Sequence, residues 1–223
     1  MVVASIVVAY RGVIATEVLE ALASQGCELK LVSEGNEGEA RRKGYEEALG
    51  PVVLFTDADC LVPSDWVERH LAWHDRYDMV GGPAFNTGDI YTETWNQPKA
   101  AGGWGWNNLS VKKGMLEIPP IPAFSDAFAV KAFKGRKVYD SSIVVKHVHP
   151  LHSLKASFRK ASTYGRAYRS VEGFEPRAKD ILGVQTWKEL RPQVSLPKWI
   201  FVRVFGFKLG EAWGLVRGGL VGR

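Results

Sequence analysis

Two acidic residues, one position apart, are the first feature of the sequence with the means to do chemistry. Asp57 and Asp59 end a β-branched and aliphatic run, residues 52–56, which predicts a buried strand of a parallel sheet. Acids at positions i and i+2 of an extended chain point to the same side, and carboxylate oxygens suit Mg²⁺ or Mn²⁺. Open α/β sheets bind ligands at the carboxyl ends of such strands. We therefore expect a divalent-cation site here; the alternative for an isolated pair is a solvated acidic turn.

Two histidines near residue 150 are the second such feature. His147 and His149 are one residue apart on a predicted strand at 143–149, so their side chains share one face. Imidazole nitrogen is a ligand that Mn²⁺ and similar ions accept. Either histidine is therefore a candidate to complete a metal site begun by Asp59, and a hydrogen-bonded structural histidine is the alternative.

A polar segment before the acid pair is the third feature. Residues 35–44 read Gly-Asn-Glu-Gly-Glu-Ala-Arg-Arg-Lys-Gly and open a predicted helix. Free N–H groups at a helix N-terminus attract anions, and basic side chains add positive charge. The segment predicts contacts to a phosphate or a nucleotide edge, with Arg41 as a candidate; a solvated helix face is the alternative.

Alternating strands and helices must position these residues. Strand and helix in alternation imply right-handed crossovers and a mostly parallel sheet flanked by helices, an α/β fold. The apolar periodicity predicts strands at 5–10, 29–32, 52–59 and 79–82, helices at 16–24 and 37–49, and a helix that Ser64 or Asp65 caps and that runs towards Tyr77.

The periodicity is lost between residues 83 and 122, a stretch that contains Trp95, Trp104 and Trp106. A long irregular stretch inside a domain is usually a functional loop, so we expect it to form the acceptor side of the site. Regular structure is predicted to return as strands at 126–130, 137–139 and 143–149, and then as a basic amphipathic helix at 154–168.

The composition, 46% hydrophobic and 24% charged, is that of a folded protein and argues against a largely disordered chain. Cys27 and Cys60 have neither metal-ligand spacing nor a disulfide framework, which indicates a reducing compartment. The chain starts with an apolar strand that is too short to span a bilayer and has no basic leader. We expect a cytoplasmic protein, with peripheral contact to the inner face of the membrane as a further hypothesis.

The charge is distributed unevenly along the chain. Residues 1–145 contain 14 Lys and Arg against 19 Asp and Glu, whereas residues 146–223 contain 15 against 5. This asymmetry predicts an anionic partner for the C-terminal third: a membrane surface, a phosphorylated substrate or a nucleic acid. Residues 196–223 interleave aromatic and basic side chains, which is typical of a helix in a membrane interface; a packed helix or a homodimer interface is the alternative. No nucleic-acid recognition module is apparent, so no nucleic-acid partner is expected.

Together the motifs resemble a known family. In order over residues 3–170, the chain is similar to a family 2-type glycosyltransferase with a GT-A fold, that is, a Rossmann-like nucleotide-diphospho-sugar transferase. The matching pieces are Ser5–Tyr10, the Asn36…Gly38-x-Ala40-Arg41-x-x-Gly44 segment, Val53–Asp59, Val80–Pro83, Phe128–Lys131, Val138–Asp140, His147-x-His149 and Tyr164–Arg166. Residues 171–223 lie outside the resemblance and are expected to form a basic, aromatic, helical C-terminal extension.

The resemblance implies a nucleotide-sugar donor and a metal, Mn²⁺ or Mg²⁺, that acts as a Lewis acid on the diphosphate. In the donor site it implies that Ala9, Tyr10 and Arg11 border the base, that Glu34 lies near the base or ribose, and that Asp57 contacts the ribose or the metal shell. Asp59 is implied as a metal ligand, with His147 as the distal ligand and His149 as its alternative.

The family often has a Glu-Asp pair between the predicted strands at 126–130 and 137–139, and this pair supplies the base that deprotonates the acceptor hydroxyl. Residues 131–136 contain no acid here. Asp126 is the nearest substitute, and Asp89 and Glu93 are others. An acceptor that is already ionised, such as a lipid phosphate, needs no base, and neither does a retaining mechanism.

The expected protein is therefore a metal-dependent glycosyltransferase that uses a nucleotide-diphosphate sugar and a glycan or lipid-phosphate acceptor. Its expected domains are residues 1–170, divided into a donor half at 1–82 and an acceptor half at 83–170, and the extension at 171–223. One alternative is a catalytically impaired protein that binds glycan through Trp95, Trp104 and Trp106. The other, a nucleotidyltransferase, would need a Gly-rich basic loop after the first strand, where Gly12 stands alone.

Overall fold

A six-stranded sheet forms the centre of the protein. The computed structural model describes residues 2–86, 104–122 and 125–148, together with the helical Ser162. The chain divides into two units, and residues 1–120 and 125–150, which hold nearly all described residues, form the first. Of the second unit, residues 121–124 and 151–223, the described residues are Ile121, Pro122 and Ser162.

The N-terminal half alternates strand and helix as predicted. The central strand β1 pairs in parallel with β2 on one side and with β3 on the other. These elements are β1 (Ser5–Ala9), α1 (Thr16–Ala23), β2 (Glu28–Val32), α2 (Glu37–Glu47) and β3 (Val52–Asp57).

Both faces of this part of the sheet are covered. Ile6 and Val8 pack with Val18 and Leu22 of α1, whereas Val7 packs with Tyr45 of α2 on the opposite face. Burial on both faces explains why β1 and β3 have continuous apolar sequences and not alternating ones. The predicted mostly parallel sheet flanked by helices is therefore confirmed.

The second half completes this sheet and adds a smaller one. The larger sheet has the order β2-β1-β3-β7-β5-β8, in which β7 is antiparallel to both β3 and β5. A second sheet has the order β4-β9-β6. The remaining elements are β4 (Cys60–Leu61), α3 (Trp66–Leu71), β5 (Met79–Gly81), β6 (Ala84–Asn86), a 3₁₀ turn (Trp106–Asn108), β7 (Leu109–Lys112), α4 (Ser125–Ala132), β8 (Lys137–Tyr139) and β9 (Val145–His147).

The stretch at 83–122 is more regular than its sequence predicts. It contains β6, the 3₁₀ turn and β7, the strand that joins β3 to β5. Strand β7 has only four residues, and its buried polar side chain, Ser110, interrupts the apolar pattern. Pairing with a neighbour on each side stabilises it, and a local sequence pattern does not report such pairing.

The predicted strand at 126–130 is wrong, because these residues lie in the helix α4. The side chains of Ala129, Val130 and Phe133 are buried, a spacing that one side of a helix provides. A short apolar run fits a buried strand or a buried helix equally well, and only its packing partners decide between them.

Two other elements are shorter than predicted. Helix α3 ends at Leu71, well before Tyr77, and the Asp65 side chain at its N-cap position makes no capping hydrogen bond. Strand β9 spans Val145–His147 and not the whole of 143–149.

Several predictions lie outside the described residues. These include the extension at 171–223, the domain boundary at residue 170 and the basic helix at 154–168 apart from Ser162, which is helical; all of them stay predictions. Among the described residues, no helix has the length and apolar character that crossing a membrane requires.

Candidate active site

The carboxyl ends of the three parallel strands meet at one edge of the larger sheet. Ala9, the last residue of β1, is in register with Val32 of β2 and with Asp57 of β3. Tyr10 continues this edge, since its N–H donates to the Val32 carbonyl at 3.0 Å. Ala9 and Tyr10, which were predicted to border the base, therefore lie beside the first acid of the pair.

A turn, and not an extended chain, brings the two acids together. Strand β3 ends at Asp57, residues 58–59 form a turn, and β4 begins at Cys60. The expectation that both acids belong to one strand is therefore wrong. The turn keeps both carboxylates in one group. The strand that follows the turn, β4, pairs with β9.

This pairing also brings His147 to the acids. Cys60 of β4 is in register with His147 of β9, and the Val148 N–H donates to the Asp59 carbonyl at 2.8 Å. The His147 Nε2 atom lies 2.9 Å from Asp59 Oδ1. His149, the alternative ligand, lies outside the described residues.

Four side chains form a group that could hold a metal ion. One ligand atom from each of Asp57, Asp59, Cys60 and His147 lies within 4.8 Å of all the others. Two carboxylates and an imidazole are a donor set that Mn²⁺ accepts, and the carboxylates also suit Mg²⁺. The residues therefore fit the predicted cation, whose identity they do not select.

Cys60 is the member of this group that sequence analysis missed. Its thiol is buried, and burial, together with the charges of Asp57 and Asp59, raises its pKa well above the usual value. A protonated thiol is a poor ligand for Mg²⁺ or Mn²⁺. The signal in the sequence is its position directly after Asp59, since its distance from Cys27 indicates no metal site.

Asp57 is held by a buried arginine. The Arg41 side chain is 3% exposed, and its Nη2 donates to Asp57 Oδ1 at 2.5 Å, while Nη1 lies 2.6 Å from Glu37 Oε1. Burial acts to lower the pKa of Arg41, but the carboxylates of Asp57, Glu37 and Asp126 outweigh it and raise that pKa. Arg41 thus stays charged among three acids; its predicted contact with a nucleotide stays a prediction.

The motif around Arg41 has a structural explanation. A Cβ atom at Gly44 would lie 2.5 Å from Val7 Cγ1, so the absence of a side chain lets α2 approach β1 closely. Asn36 caps the helix, because its Oδ1 accepts from the N–H groups of Gly38 and Glu39 at 3.0 Å each. These two N–H groups are therefore not free for a phosphate, contrary to the expectation from the sequence.

Trp106 lies between Arg41 and the start of α4. The Arg41 guanidinium lies over the indole ring, 5.6 Å from its centroid, and Trp106 Nε1 donates to Ser125 Oγ at 2.8 Å. Trp106 is 2% exposed and so has no surface to offer a glycan. Trp104 is half-buried against Tyr139, and Trp95 lies outside the described residues.

Asp126 follows Ser125 in the first turn of α4 and belongs to the same electrostatic cluster. Burial raises the pKa of Asp126, and the charges of Glu37 and Asp57 raise it further. The Ala127 N–H, which donates to Asp126 Oδ1 at 2.8 Å, and Arg41 act in the opposite direction. Asp89 and Glu93, the other candidate bases, lie outside the described residues.

Two predicted donor contacts lie on more exposed parts of this edge. Arg11 is exposed, and its Nη2 donates to the Gly35 carbonyl at 3.1 Å. Glu34 is exposed and forms an ion pair with Lys43 of α2, which lowers the Glu34 pKa. Both residues lie on the loops that follow β1 and β2, as predicted, and their contacts with a donor stay predictions.

The fold of the chain is similar to those of several solved structures. A mannosyltransferase from Pyrobaculum calidifontis, PcManGT, solved with GDP-Man and Mn²⁺, matches with a TM-score of 0.63 at 12% identity over 99% of this chain and 88% of its own. TarS from S. aureus, residues 1–349 with UDP-GlcNAc, matches with a TM-score of 0.51 at 13% identity over 98% and 92%. The A197 protein from STIV matches with a TM-score of 0.50 at 16% identity over 66% and 86%.

Sequence comparison gives one match to a protein family. No match was found among the curated proteins. The family model described as glycosyl transferase family 2 matches residues 14–134, which is more than half of the chain and includes Arg41, both acids of the pair and Asp126. The chain therefore belongs to glycosyl transferase family 2 and has a GT-A fold.

Proposed function

We propose that the protein is a metal-dependent glycosyltransferase that moves a sugar from a nucleotide-diphosphate sugar to an acceptor. The grouping of Asp57, Asp59 and His147 at the carboxyl edge of the parallel strands carries this proposal. Two similar structures were solved with a nucleotide sugar, GDP-Man in one and UDP-GlcNAc in the other, and the first also contains Mn²⁺. These relatives support the donor class but do not select the nucleotide.

The donor would lie along the edge formed by the ends of β1, β2 and β3. Ala9, Tyr10 and Arg11 border the base, and Glu34 lies near the base or ribose. Loops that follow parallel strands are where such sheets bind nucleotides, which supports these assignments.

The metal group lies beside that edge. Asp59 and His147 would hold a divalent cation directly, and Asp57 would hold it or the donor ribose. When bound, the cation supplies a Lewis acid that stabilises negative charge on the diphosphate. Arg41 keeps the Asp57 carboxylate in place through the 2.5 Å ion pair, so one oxygen of Asp57 has a fixed position before any donor arrives.

Asp126 is the proposed general base for an acceptor hydroxyl. A carboxylate whose pKa lies above its usual value is a stronger base than an ordinary aspartate. Asp126 would take the hydroxyl proton as the acceptor oxygen attacks the sugar.

A membrane-borne acceptor, a lipid phosphate or a lipid-linked glycan, is the partner that the basic residues 146–223 favour. Positive charge with interleaved aromatic side chains suits an anionic membrane surface. We place the protein in the cytoplasm, at the inner face of the membrane, in keeping with the free thiols of Cys27 and Cys60. Co-sedimentation with anionic vesicles tests this placement: retention of vesicle binding after deletion of residues 196–223 would argue against it.

Donor cleavage tests the proposed function. The full chain is incubated with Mn²⁺ and a panel of nucleotide sugars, and nucleoside diphosphate is measured. We expect release from one donor class that a chelator abolishes, and a loss of at least about 100-fold in Asp59→Asn, because the substitution removes a carboxylate from the metal group. Asp75→Asn changes an exposed acid and is the matched control.

Each result has a defined consequence. Release that persists in Asp59→Asn would remove Asp59 from the metal group. Thermal stabilisation by oligosaccharide, with no donor cleavage and no stabilisation by nucleotide sugars, would identify a glycan-binding protein instead.

A further inference from the structure

A buried amide side chain lies behind the metal group. Asn108, 1% exposed, immediately precedes β7. Its Oδ1 accepts from Trp66 Nε1 at 2.9 Å, and because an indole N–H only donates, this bond fixes which end of the amide is oxygen. The Nδ2 group therefore donates, to the Pro83 carbonyl at 3.0 Å and to the Ile143 carbonyl at 2.7 Å.

These two carbonyls stand at the entrances to β6 and β9. Pro83 directly precedes β6, and Ile143 is two residues before β9. The same Pro83 carbonyl also accepts from the Val145 N–H at 3.1 Å, where β9 begins its parallel pairing with β6. Asn108 thus fixes the starting points of both strands relative to the larger sheet.

Strand β9 is short, so the hydrogen bonds at its two ends determine where its last residue lies. It has three residues, and His147 is the last. At its far end, the Val148 N–H donates to the Asp59 carbonyl. At its near end, the Ile143 carbonyl accepts from Asn108, and the Ile143 N–H donates to the Asp140 carbonyl at 3.2 Å. The Val145 N–H donates to the Pro83 carbonyl, which Asn108 also holds.

The backbone is closely packed around the Asn108 amide. A Cβ atom at Gly82 would lie 2.3 Å from the Ile143 carbonyl oxygen and 2.6 Å from Asn108 Nδ2. The Gly82 N–H donates to the Asn108 carbonyl at 3.1 Å. The backbone just after β5, at Gly82, and the backbone before β9, at Ile143, therefore approach each other closely beside the amide.

The oxygen of the amide, Asn108 Oδ1, has a second hydrogen-bond partner besides Trp66. His70 Nε2 lies 3.0 Å from Asn108 Oδ1, and His70 Nδ1 lies 2.8 Å from Ser110 Oγ. Burial lowers the pKa of His70 to about 4, so the ring is neutral at physiological pH. A neutral ring that donates from Nε2 to Asn108 Oδ1 accepts a hydrogen bond from the Ser110 hydroxyl at Nδ1. Both acceptor positions of Asn108 Oδ1 and both N–H groups of Nδ2 are then used.

We propose that Asn108 is a positioning residue that sets His147 against Asp59 in the metal group. The inference rests on the proposed function, since it takes His147 to be a metal ligand. It assigns to the 3₁₀ turn a role that the sequence did not suggest. Groups that orient metal ligands typically change metal affinity by about 10- to 100-fold when they are altered.

Mn²⁺ bound to the full chain provides a test that does not depend on turnover. Electron spin-echo envelope modulation of the bound ion reports nitrogen coordination, and titration followed by electron paramagnetic resonance gives its affinity. We expect ¹⁴N modulation in the wild type and its loss in His147→Gln. Asn108→Asp keeps size and acceptor but replaces the donors to Pro83 and Ile143 with an oxygen, so it should lose the modulation and bind Mn²⁺ about 10- to 100-fold more weakly.

Two further variants separate positioning from general destabilisation. Ser110→Ala removes the hydroxyl that contacts His70 and His74 in the same buried network but leaves the bonds from Asn108 to Pro83 and Ile143. It should lower the melting temperature and keep the ¹⁴N modulation. Trp66→Phe keeps the Asn108 amide and removes one of its anchors; it should weaken the modulation, and it replaces Asn108→Asp if that variant does not fold.

The outcomes distinguish the two proposals. Wild-type modulation that persists in folded Asn108→Asp, or in Trp66→Phe if Asn108→Asp does not fold, overturns the positioning role and leaves the metal site intact. Loss of modulation in Ser110→Ala to the same extent also overturns that role. Absence of modulation in the wild type removes His147 as a ligand, and with it both the positioning role and that part of the proposed function.

Discussion

Asp57 and Asp126 belong to one cluster, and their surroundings suit them to different work. Asp57 has a direct ion pair with Arg41, which holds one of its carboxylate oxygens in a fixed position for binding a cation or a hydroxyl. Asp126 is half-buried at the start of α4, and burial raises its pKa. Carboxylates in contrasting environments are how an enzyme obtains a charged ligand and a proton acceptor from one residue type.

Substitution of Asp126 tests the role of the base. Asp126→Asn should lower kcat by about 100-fold or more and leave KM for the donor within about twofold, because the amide cannot accept the hydroxyl proton. The raised pKa also predicts that wild-type activity falls as the pH drops through a value above that of an ordinary aspartate, since protonation inactivates a base. Asp126→Asn should lack this acidic limb in a profile of kcat/KM against pH.

The exposed acid Glu117 offers the control for this profile. Glu117→Gln should reproduce the wild-type limb and its midpoint. An Asp126→Asn variant with wild-type kcat would contradict the base and favour an acceptor that is ionised before it binds, such as a lipid phosphate.

At the scale of elements, those with a distinctive local sequence were predicted correctly, and those that depend on distant neighbours were not. Strands β1 and β3 have continuous apolar sequences because helices cover both faces, and such runs are recognisable. Helix α4 and strand β7 depend on neighbours that are distant in sequence, and local patterns assigned the first to the wrong class and missed the second. Residue type and spacing predicted a group of the two acids with His147 or His149, and the preference for His147 rested on the family resemblance.

Other parts of the site were not predictable because their meaning depends on long-range contacts. Arg41 belongs to a run of basic residues that resembles a solvated face, yet it is the buried partner of Asp57, while its neighbour Arg42 is 47% exposed. Nothing about Asn108 or Cys60 in the linear sequence points to β9. Such roles can be recognised only from a structure that shows which strands pair.

The two adjacent arginines of α2 give a matched test of this distinction. Arg41→Ala leaves Asp57 and Glu37 without their buried counter-charge and should lower the free energy of unfolding by about 3 kcal/mol. Arg42→Ala removes a partner 3.9 Å from Glu46 on the surface and should change it by no more than about 0.5 kcal/mol. Urea denaturation of both variants measures the difference, and equal values would contradict a stabilising role for the buried pair.

At the scale of the whole molecule, the site depends on contacts between distant parts of the chain. Asp59 and His147 are 88 positions apart, and they meet because the small sheet pairs β4 with β9. The family match ends at residue 134, before His147 and before the basic residues 146–223. The match begins at residue 14, so it includes the acid pair, Arg41 and Asp126 but not the end of β1, where we place the base of the donor. The basic residues that we assign to the membrane lie outside it.

The most direct test of the account is the location of the metal. A crystal of the protein soaked with Mn²⁺ and a nucleoside diphosphate should show an anomalous difference peak bonded to Asp59 and His147, with the diphosphate on the side of Tyr10. A peak at that position would establish the grouping of acids and imidazole as the metal centre. A diphosphate bound elsewhere, or a well-ordered Mn²⁺ that avoids both Asp57 and Asp59, would contradict the central claim.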